Sequence, residues 1–157
     1  MTFSHLDEKG QATMVDVGEK QVSRRTATAR SIVVLPGEVL EQLSDGEIQT
    51  KKGSVFQTAT IAGIMAAKKT GDLIPLCHPL GLDNCAINIR VNDQNEVVID
   101  CTATITAKTG VEMEALVGAS IAALTIYDMC KALSHDIVIK ETKLMEKTGG
   151  KRDFRRA

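Results

Sequence analysis

Thirteen consecutive residues from Ala115 to Tyr127 carry no charge, and charge returns with Asp128 and Lys131. The preceding Thr109-Gly110-Val111-Glu112 has the spacing of a capping box, so the run reads as a helix that opens there and continues to about Leu133. Such a helix is apolar on nearly every face. It persists in water only where other elements, or another subunit, cover it. Thirteen residues are too few to cross a bilayer. The opening Met1-Thr2-Phe3-Ser4-His5-Leu6-Asp7-Glu8 lacks the basic start and apolar centre of a signal peptide. A soluble, cytoplasmic protein without a membrane partner is expected.

The rest of the chain can supply the covering layer. Ser31–Leu35 is β-branched and reads as a strand, and Pro36 stands where a helix to about Leu43 can begin. Asp45-Gly46 is a turn. Ser54-Val55-Phe56-Gln57 has capping-box spacing and predicts a helix from about Val55 to Lys69 that stops at Gly71. Cys85–Val91 and Glu96–Thr106 alternate in polarity around Asn92-Asp93-Gln94-Asn95 and read as a hairpin; Ile137–Met145 is a last strand. Apart from the doubled first helix, this is the β-α-β-β-α-β order of the ferredoxin-like α+β class: an antiparallel sheet with helices packed on one face. At 157 residues and 43% hydrophobic content the chain is read as one domain, 1–157. Within it, 1–28 is an N-terminal arm and 147–157 a basic, flexible tail.

Charge and composition narrow the function. A net charge of −1 and an aromatic fraction of 3% argue against a nucleic-acid binder, which needs a basic surface and stacking platforms. An anionic ligand must therefore meet a local cluster of cations. Cys77, Cys85, Cys101 and Cys130 lack the tight ligand spacing of a zinc site and are read as free thiols, so no metal held by protein ligands is expected.

Five groups of residues could carry chemistry. In Leu73-Ile74-Pro75-Leu76-Cys77-His78-Pro79-Leu80, two prolines fix the backbone around one titratable side chain and aim the imidazole of His78. Asp128 and Lys131 lie three apart on one helix face, where thirteen uncharged residues precede a carboxylate expected to be partly desolvated. Lys52-Gly53-Ser54 puts a lysine beside the free N–H groups of a helix start, a natural phosphate site. Lys147-Thr148-Gly149-Gly150-Lys151 has the form of an anion clamp, outside any Walker context. Glu112-Met113-Glu114 occupies a first helical turn that favours carboxylates. Glu112 and Asp128 are sixteen residues apart, about 24 Å on one straight helix. If both serve one small-ligand site, two subunits meet there or the helix breaks, for example near Gly118.

These runs closely resemble the molybdenum cofactor biosynthesis protein C (MoaC) family. The likeness extends from Met14-Val15-Asp16-Val17 to Lys147 and is most specific at Leu73–Leu80, Lys108–Ala115 and Ala123–Ala132. It implies an enzyme, a phosphorus–oxygen lyase, that converts 3′,8-cyclo-7,8-dihydroguanosine triphosphate to cyclic pyranopterin monophosphate and releases pyrophosphate. It also implies a homohexamer, a trimer of dimers, with its site at a subunit interface. By the same likeness the catalytic residues are Asp128, Lys52, Lys131 and His78. Substrate contacts fall on Leu76, Cys77, His78, Glu112, Met113 and Glu114, and Arg25, Lys147 and Lys151 hold the triphosphate. No cofactor is implied beyond a divalent ion carried by the triphosphate itself. One departure concerns the tail: the family usually continues Lys-Ser-Gly-Gly-Lys-Ser-Gly, whereas Lys151 here runs into Arg152-Asp153. The competing readings are a non-catalytic ferredoxin-like nucleotide-binding module and a nucleic-acid-binding α+β domain. A site shared between chains would let variants at Lys52 and Asp128 rescue each other if the two residues come from different subunits.

Overall fold

The computed structural model describes residues 2–157; Met1, first residue of the expected arm, lies outside them. The elements in chain order are β1 (Ser23–Val34), α1 (Gly37–Leu40), β2 (Leu43–Ser44), β3 (Glu47–Thr50), β4 (Gly53–Ser54), α2 (Val55–Lys68), α3 (Thr70–Leu73), β5 (Asn84–Val91), β6 (Glu96–Ala107), α4 (Glu112–Cys130), β7 (Val138–Thr148) and β8 (Phe154–Arg155). Five strands form one antiparallel sheet in the order β5-β6-β1-β7-β8, and β2-β3-β4 form a small second sheet. The β2–β3 turn uses Asp45 and Gly46 at φ of 52° and 73°, both left-handed, as a two-residue hairpin of this chemistry requires.

The helices α2 and α4 cover one face of the large sheet. Period-two alternation decides which residues they meet: Ala27, Ala29, Ser31 and Val33 of β1 are buried against them, as are Val97, Ile99, Cys101 and Ala103 of β6. The other face is polar and cross-linked. Thr28 meets Thr102 at 2.8 Å, and Asp100 accepts from Arg30 at 2.7 Å and Arg90 at 2.9 Å. The inward face of α4 is made largely of small residues, Ala115, Gly118, Ala119, Ala122 and Ala123, so helix and sheet approach closely. Nineteen residues long, with a mean hydropathy of 1.3 over its most apolar window, α4 has the length and composition of a membrane span, yet 56% of that window is buried in the fold. It is the core helix of this sheet. Leu124 and, on α2, Ile61 and Met65 nevertheless point outward, each more than half exposed.

Several expected boundaries move, each for a local reason. The strand β1 begins at Ser23, not Ser31, so the arm ends near Val22: alanines serve as its buried residues and threonines and arginines as its outer ones, a pattern without the usual β-branched signature. Neither capping box forms. Ser54 bonds Gln49 instead, and the carboxylate of Glu47 takes the α2 N–H groups of Phe56 and Gln57 at 2.8 and 3.1 Å. The free helix start expected beside Lys52 is therefore already filled by an anion of the chain. Val111, before α4, makes no side-chain cap, and Glu112 pairs with Lys147. The α2 helix ends at Lys68, within a residue of the expected end, but Gly71 is not its cap; it lies in α3, where an added Cβ would stand 3.1 Å from the Pro79 Cα. The tail is not free: β7 runs on to Thr148 and β8 folds back on it, with Asp153 accepting from the Gly149 N–H at 3.2 Å.

The closest approach between helices lies where α2 crosses α4. A Cβ on Gly63 would meet the Ile87 Cδ1 and stand 2.7 Å from the Gly118 carbonyl oxygen. Backbone cannot rotate away, so Gly63→Ala should lose stability. Overpacking of roughly 1–3 kcal/mol outweighs the ~1 kcal/mol that alanine gains over glycine in a helix. Urea unfolding at fixed protein concentration should show a lower midpoint for Gly63→Ala, and none for Gly37→Ala, whose Cβ meets open space.

Candidate active site

At the N-terminal end of α4, four segments distant in sequence enclose a cavity of about 360 Å³. The loop after α3 contributes Leu76, Cys77 and His78, held in place by the close approach of Gly71 to Pro79. The helix start contributes Glu112, Met113 and Glu114, and the end of β7 contributes Lys147, whose Nζ lies 3.2 Å from Glu112 Oε1. The fourth segment is the N-terminal one. It lines the cavity with Val15, Val17 and Lys20, tied down by Lys108 Nζ donating to the Gly18 carbonyl at 3.0 Å and by His78 Nε2 at 2.6 Å from the Val15 carbonyl. A second cavity of about 300 Å³ adjoins the first through Lys20 and is lined by Arg25, Ser23, Gly149, Gly150 and Lys151. Four cations, Lys20, Lys147, Arg25 and Lys151, thus line two cavities that share Lys20, the local cluster that a chain of net charge −1 needs in order to hold a polyanion.

Glu114 is 4% exposed and lies between the main cavity and a further one of about 220 Å³ lined by Lys68, Thr70, Asp72 and Pro79. Burial pushes its carboxyl above the usual range; a bond to its own backbone opposes this and the charge of Glu112 adds to it. Burial likewise raises the Cys77 thiol, with Glu114 adding, which disfavours a thiolate there. The Sγ atoms of Cys85 and Cys101 lie 3.7 Å apart, and all four thiols are free.

The other end of α4 carries a different cluster. Asp128 Oδ1 accepts Lys131 Nζ at 2.9 Å and Asp128 Oδ2 faces Lys52 Nζ at 3.4 Å, beside an open groove of about 950 Å³ bordered by Met129, Leu133 and His135. Lys51 borders the same groove, but Lys52 makes the ion pair. The expected desolvation of Asp128 does not occur within the chain. Its side chain is 52% exposed, and the bonds from Lys131 and Lys52 hold its carboxyl below the usual range.

The expected site residues therefore form two groups. Leu76, Cys77, His78, Glu112, Met113, Glu114 and Lys147 share the main cavity, with Arg25 and Lys151 in its extension. Lys52, Asp128 and Lys131 stand at the far end of a helix about 24 Å away. Lys52 and Asp128 belong to the same end of one chain, so a site shared between subunits does not divide between those two. Sequence reasoning missed Lys20, His5, Val15 and Val17, all at the main cavity. The one signal for them was the compact Met14–Val17 run inside an otherwise polar arm.

A cation-lined cleft with a buried carboxyl, an imidazole and a separate lysine-flanked carboxylate defines a protein that binds a small phosphorylated ligand and offers acid–base groups to it. Residues 14–150 match the MoaC family model. The chain is 53% identical over 152 residues to a cyclic pyranopterin monophosphate synthase of Xanthomonas campestris pv. campestris (strain B100), an alignment covering 97% of this chain and 92% of that one. It is also 53% identical to a molybdenum cofactor biosynthesis bifunctional protein of Synechocystis sp. and 50% identical to molybdenum cofactor biosynthesis protein 1 of Dictyostelium discoideum. It spans 45% and 26% of the length of those two relatives. The chain belongs to the MoaC family.

The two carboxyls titrate in opposite directions from normal. Followed by carboxyl carbon resonances, Asp128 should titrate below an ordinary aspartate, and Lys131→Gln should move it upward. Glu114, with a raised folded-state pKa, lowers stability as pH rises through that value; the penalty is absent below the unfolded pKa and complete above the folded one. Glu114→Gln should therefore gain stability over the wild type at pH 8, and the gain should shrink as pH falls through the carboxylate range in urea titrations.

Proposed function

We propose that this chain is a cyclic pyranopterin monophosphate synthase of molybdenum cofactor biosynthesis. It acts on 3′,8-cyclo-7,8-dihydroguanosine triphosphate and releases pyrophosphate, with its active site completed between subunits. The observation that carries the composite site is the split just described: two chemically complementary clusters sit at opposite ends of one unbroken helix, too far apart for one small ligand. Where two chains pair, the Lys52/Asp128/Lys131 end of one faces the His78/Glu114/Lys147 end of the other. A homohexamer built as a trimer of dimers also gives Ile61, Met65 and Leu124 apolar surroundings that the single chain does not. The order β5-β6-β1-β7, with α2 and α4 as the crossing helices, supports the ferredoxin-like reading. The cytoplasm supplies the triphosphate, and any divalent ion enters on it without protein ligands of its own.

Residue type sets the roles. Arg25, Lys147 and Lys151, with Lys20, neutralise the triphosphate and the departing pyrophosphate. Lys52 and Lys131 hold Asp128 ionised as a proton acceptor or charge partner, while buried Glu114 is the carboxyl inclined to keep its proton. Leu76 and Met113 bound the apolar part of the ring pocket.

Purified protein supplied with the cyclised guanosine triphosphate should yield pyrophosphate and pterin, and Asp128→Asn should yield neither. Mixing Asp128→Asn with His78→Ala chains under subunit exchange should restore about a quarter of wild-type turnover, since one composite site in four then has both intact halves. Asp128→Asn mixed with Lys52→Ala should restore none. Binding of the compound without turnover by the wild type would instead favour a nucleotide-binding module.

A further inference from the structure

His78 is joined to the N-terminal segment by a bond that fixes more than position. Its Nε2 lies 2.6 Å from the Val15 carbonyl oxygen, across a sequence separation of 63 residues. A carbonyl oxygen only accepts, so the proton of that bond is on Nε2. In the neutral ring the lone pair is then on Nδ1, which has no hydrogen-bond partner among the described residues. The ring lines the main cavity together with His5, Lys20, Glu112, Glu114 and Lys147. The segment making this bond is itself anchored. Val15 and Val17 are half-buried at the cavity mouth, Asp16 Oδ1 accepts the Gly18 N–H at 2.8 Å, and Lys108 Nζ bonds the Gly18 carbonyl at 3.0 Å.

The geometry points to Met14–Val17 as a positioning strap: through the Val15 carbonyl it selects the Nε2–H tautomer of His78 and leaves Nδ1 as a proton acceptor for the bound substrate. This rests on the catalytic reading of His78 given above. The step is a proton transfer. An acidic C–H, N–H or O–H of the substrate gives its proton to the Nδ1 lone pair, the bond electrons stay on the substrate, and the imidazolium keeps its Nε2–H on Val15. Without the strap the neutral ring divides between two tautomers, one of which carries a proton where the acceptor must be. Val15 thus acts through His78 and touches no reacting atom.

The full chain labelled with nitrogen-15 in its three histidines, with His78 assigned by loss of its signals in His78→Gln, reads the tautomer directly. The result expected for the neutral ring is a proton on Nε2, a bare Nδ1, and a coupling across the hydrogen bond to the Val15 carbonyl carbon. Replacing the Val15–Asp16 amide by an ester weakens that carbonyl as an acceptor and leaves every side chain in place. It should mix the tautomers and lower kcat on the order of tenfold with KM little changed, as loss of a supporting partner of a functional histidine does. A proton on Nδ1 in the wild-type chain, which needs no variant to detect, would overturn the strap. So would an ester variant with unchanged tautomer and kcat. Full turnover by His78→Gln would overturn the catalytic reading and the strap together, whereas a wrong tautomer beside an inactive His78→Gln strikes the strap alone.

Discussion

The close crossing of α2 over α4 at Gly63 and Gly118 is the contact on which the rest of the molecule depends. With no side chain at either position, backbone meets backbone, and the alanine face of α4 settles onto the alanines of β1. This arrangement buries a nineteen-residue helix along its length without interrupting it. An unbroken helix is a ruler. It sets the separation between the cavity at its start and the groove at its end, and so prevents one chain from closing a site around one ligand. Larger residues at the crossing would lift α4 from the sheet and move both clusters at once.

Two carboxylates on the same helix are driven apart electrostatically by their surroundings. Asp128 is exposed between two lysines and stays ionised; Glu114 is buried next to another acid and favours its proton. Opposed tuning of this kind separates an ionised carboxylate from a carboxyl that favours its proton without any difference in side-chain chemistry. Pairing of chains would change the balance at Asp128, since covering its groove removes water from the carboxylate and from both lysines together. The ion pairs would strengthen as the dielectric falls, provided that all three groups stay bonded.

Much of this was legible in the sequence wherever a residue's local chemistry and its tertiary role agreed. The β5–β6 hairpin, the Asp45-Gly46 turn and the helix from Val55 all follow from alternation, turn chemistry and periodicity. What failed was the assignment of hydrogen bonds. Ser54 and Thr109 had capping-box spacing, but Glu47, nearby in space across β3 and β4, took the α2 N–H groups, and Lys147 took Glu112. Spacing describes which partner is near along the chain; the sheet decides which is near in space. The same limit concealed Lys20 and Val15 in a polar arm, because nothing in residues 14–20 reveals that they cross the loop carrying His78. The resemblance placed Asp128, Lys52 and Lys131 together, yet the exposure of the Asp128 side chain follows from which elements pack around the end of α4, which periodicity does not encode.

Both ends of the chain converge on the cleft at the start of α4, and they are held with unequal rigidity. Ser23 Oγ donates to the Gly149 carbonyl at 2.7 Å, Asp153 accepts the Gly149 N–H, and Arg156 lies over the Phe154 ring at 5.4 Å, so contacts within the chain hold the turn after Lys147. The run into Arg152-Asp153 closes a hairpin of β7 and β8. Ordering a loop at the moment of binding subtracts from affinity, and a turn already made avoids that cost. Lys147 gains most from this. Strand pairing of β7 with β1 and its bond to Glu112 aim its ammonium at the cavity, whereas Lys151 stands exposed beyond the glycines. A fixed cation orients a phosphate and an exposed one draws it in. The order of these residues along the hairpin gives the cleft a rigid inner cation and a freer outer one.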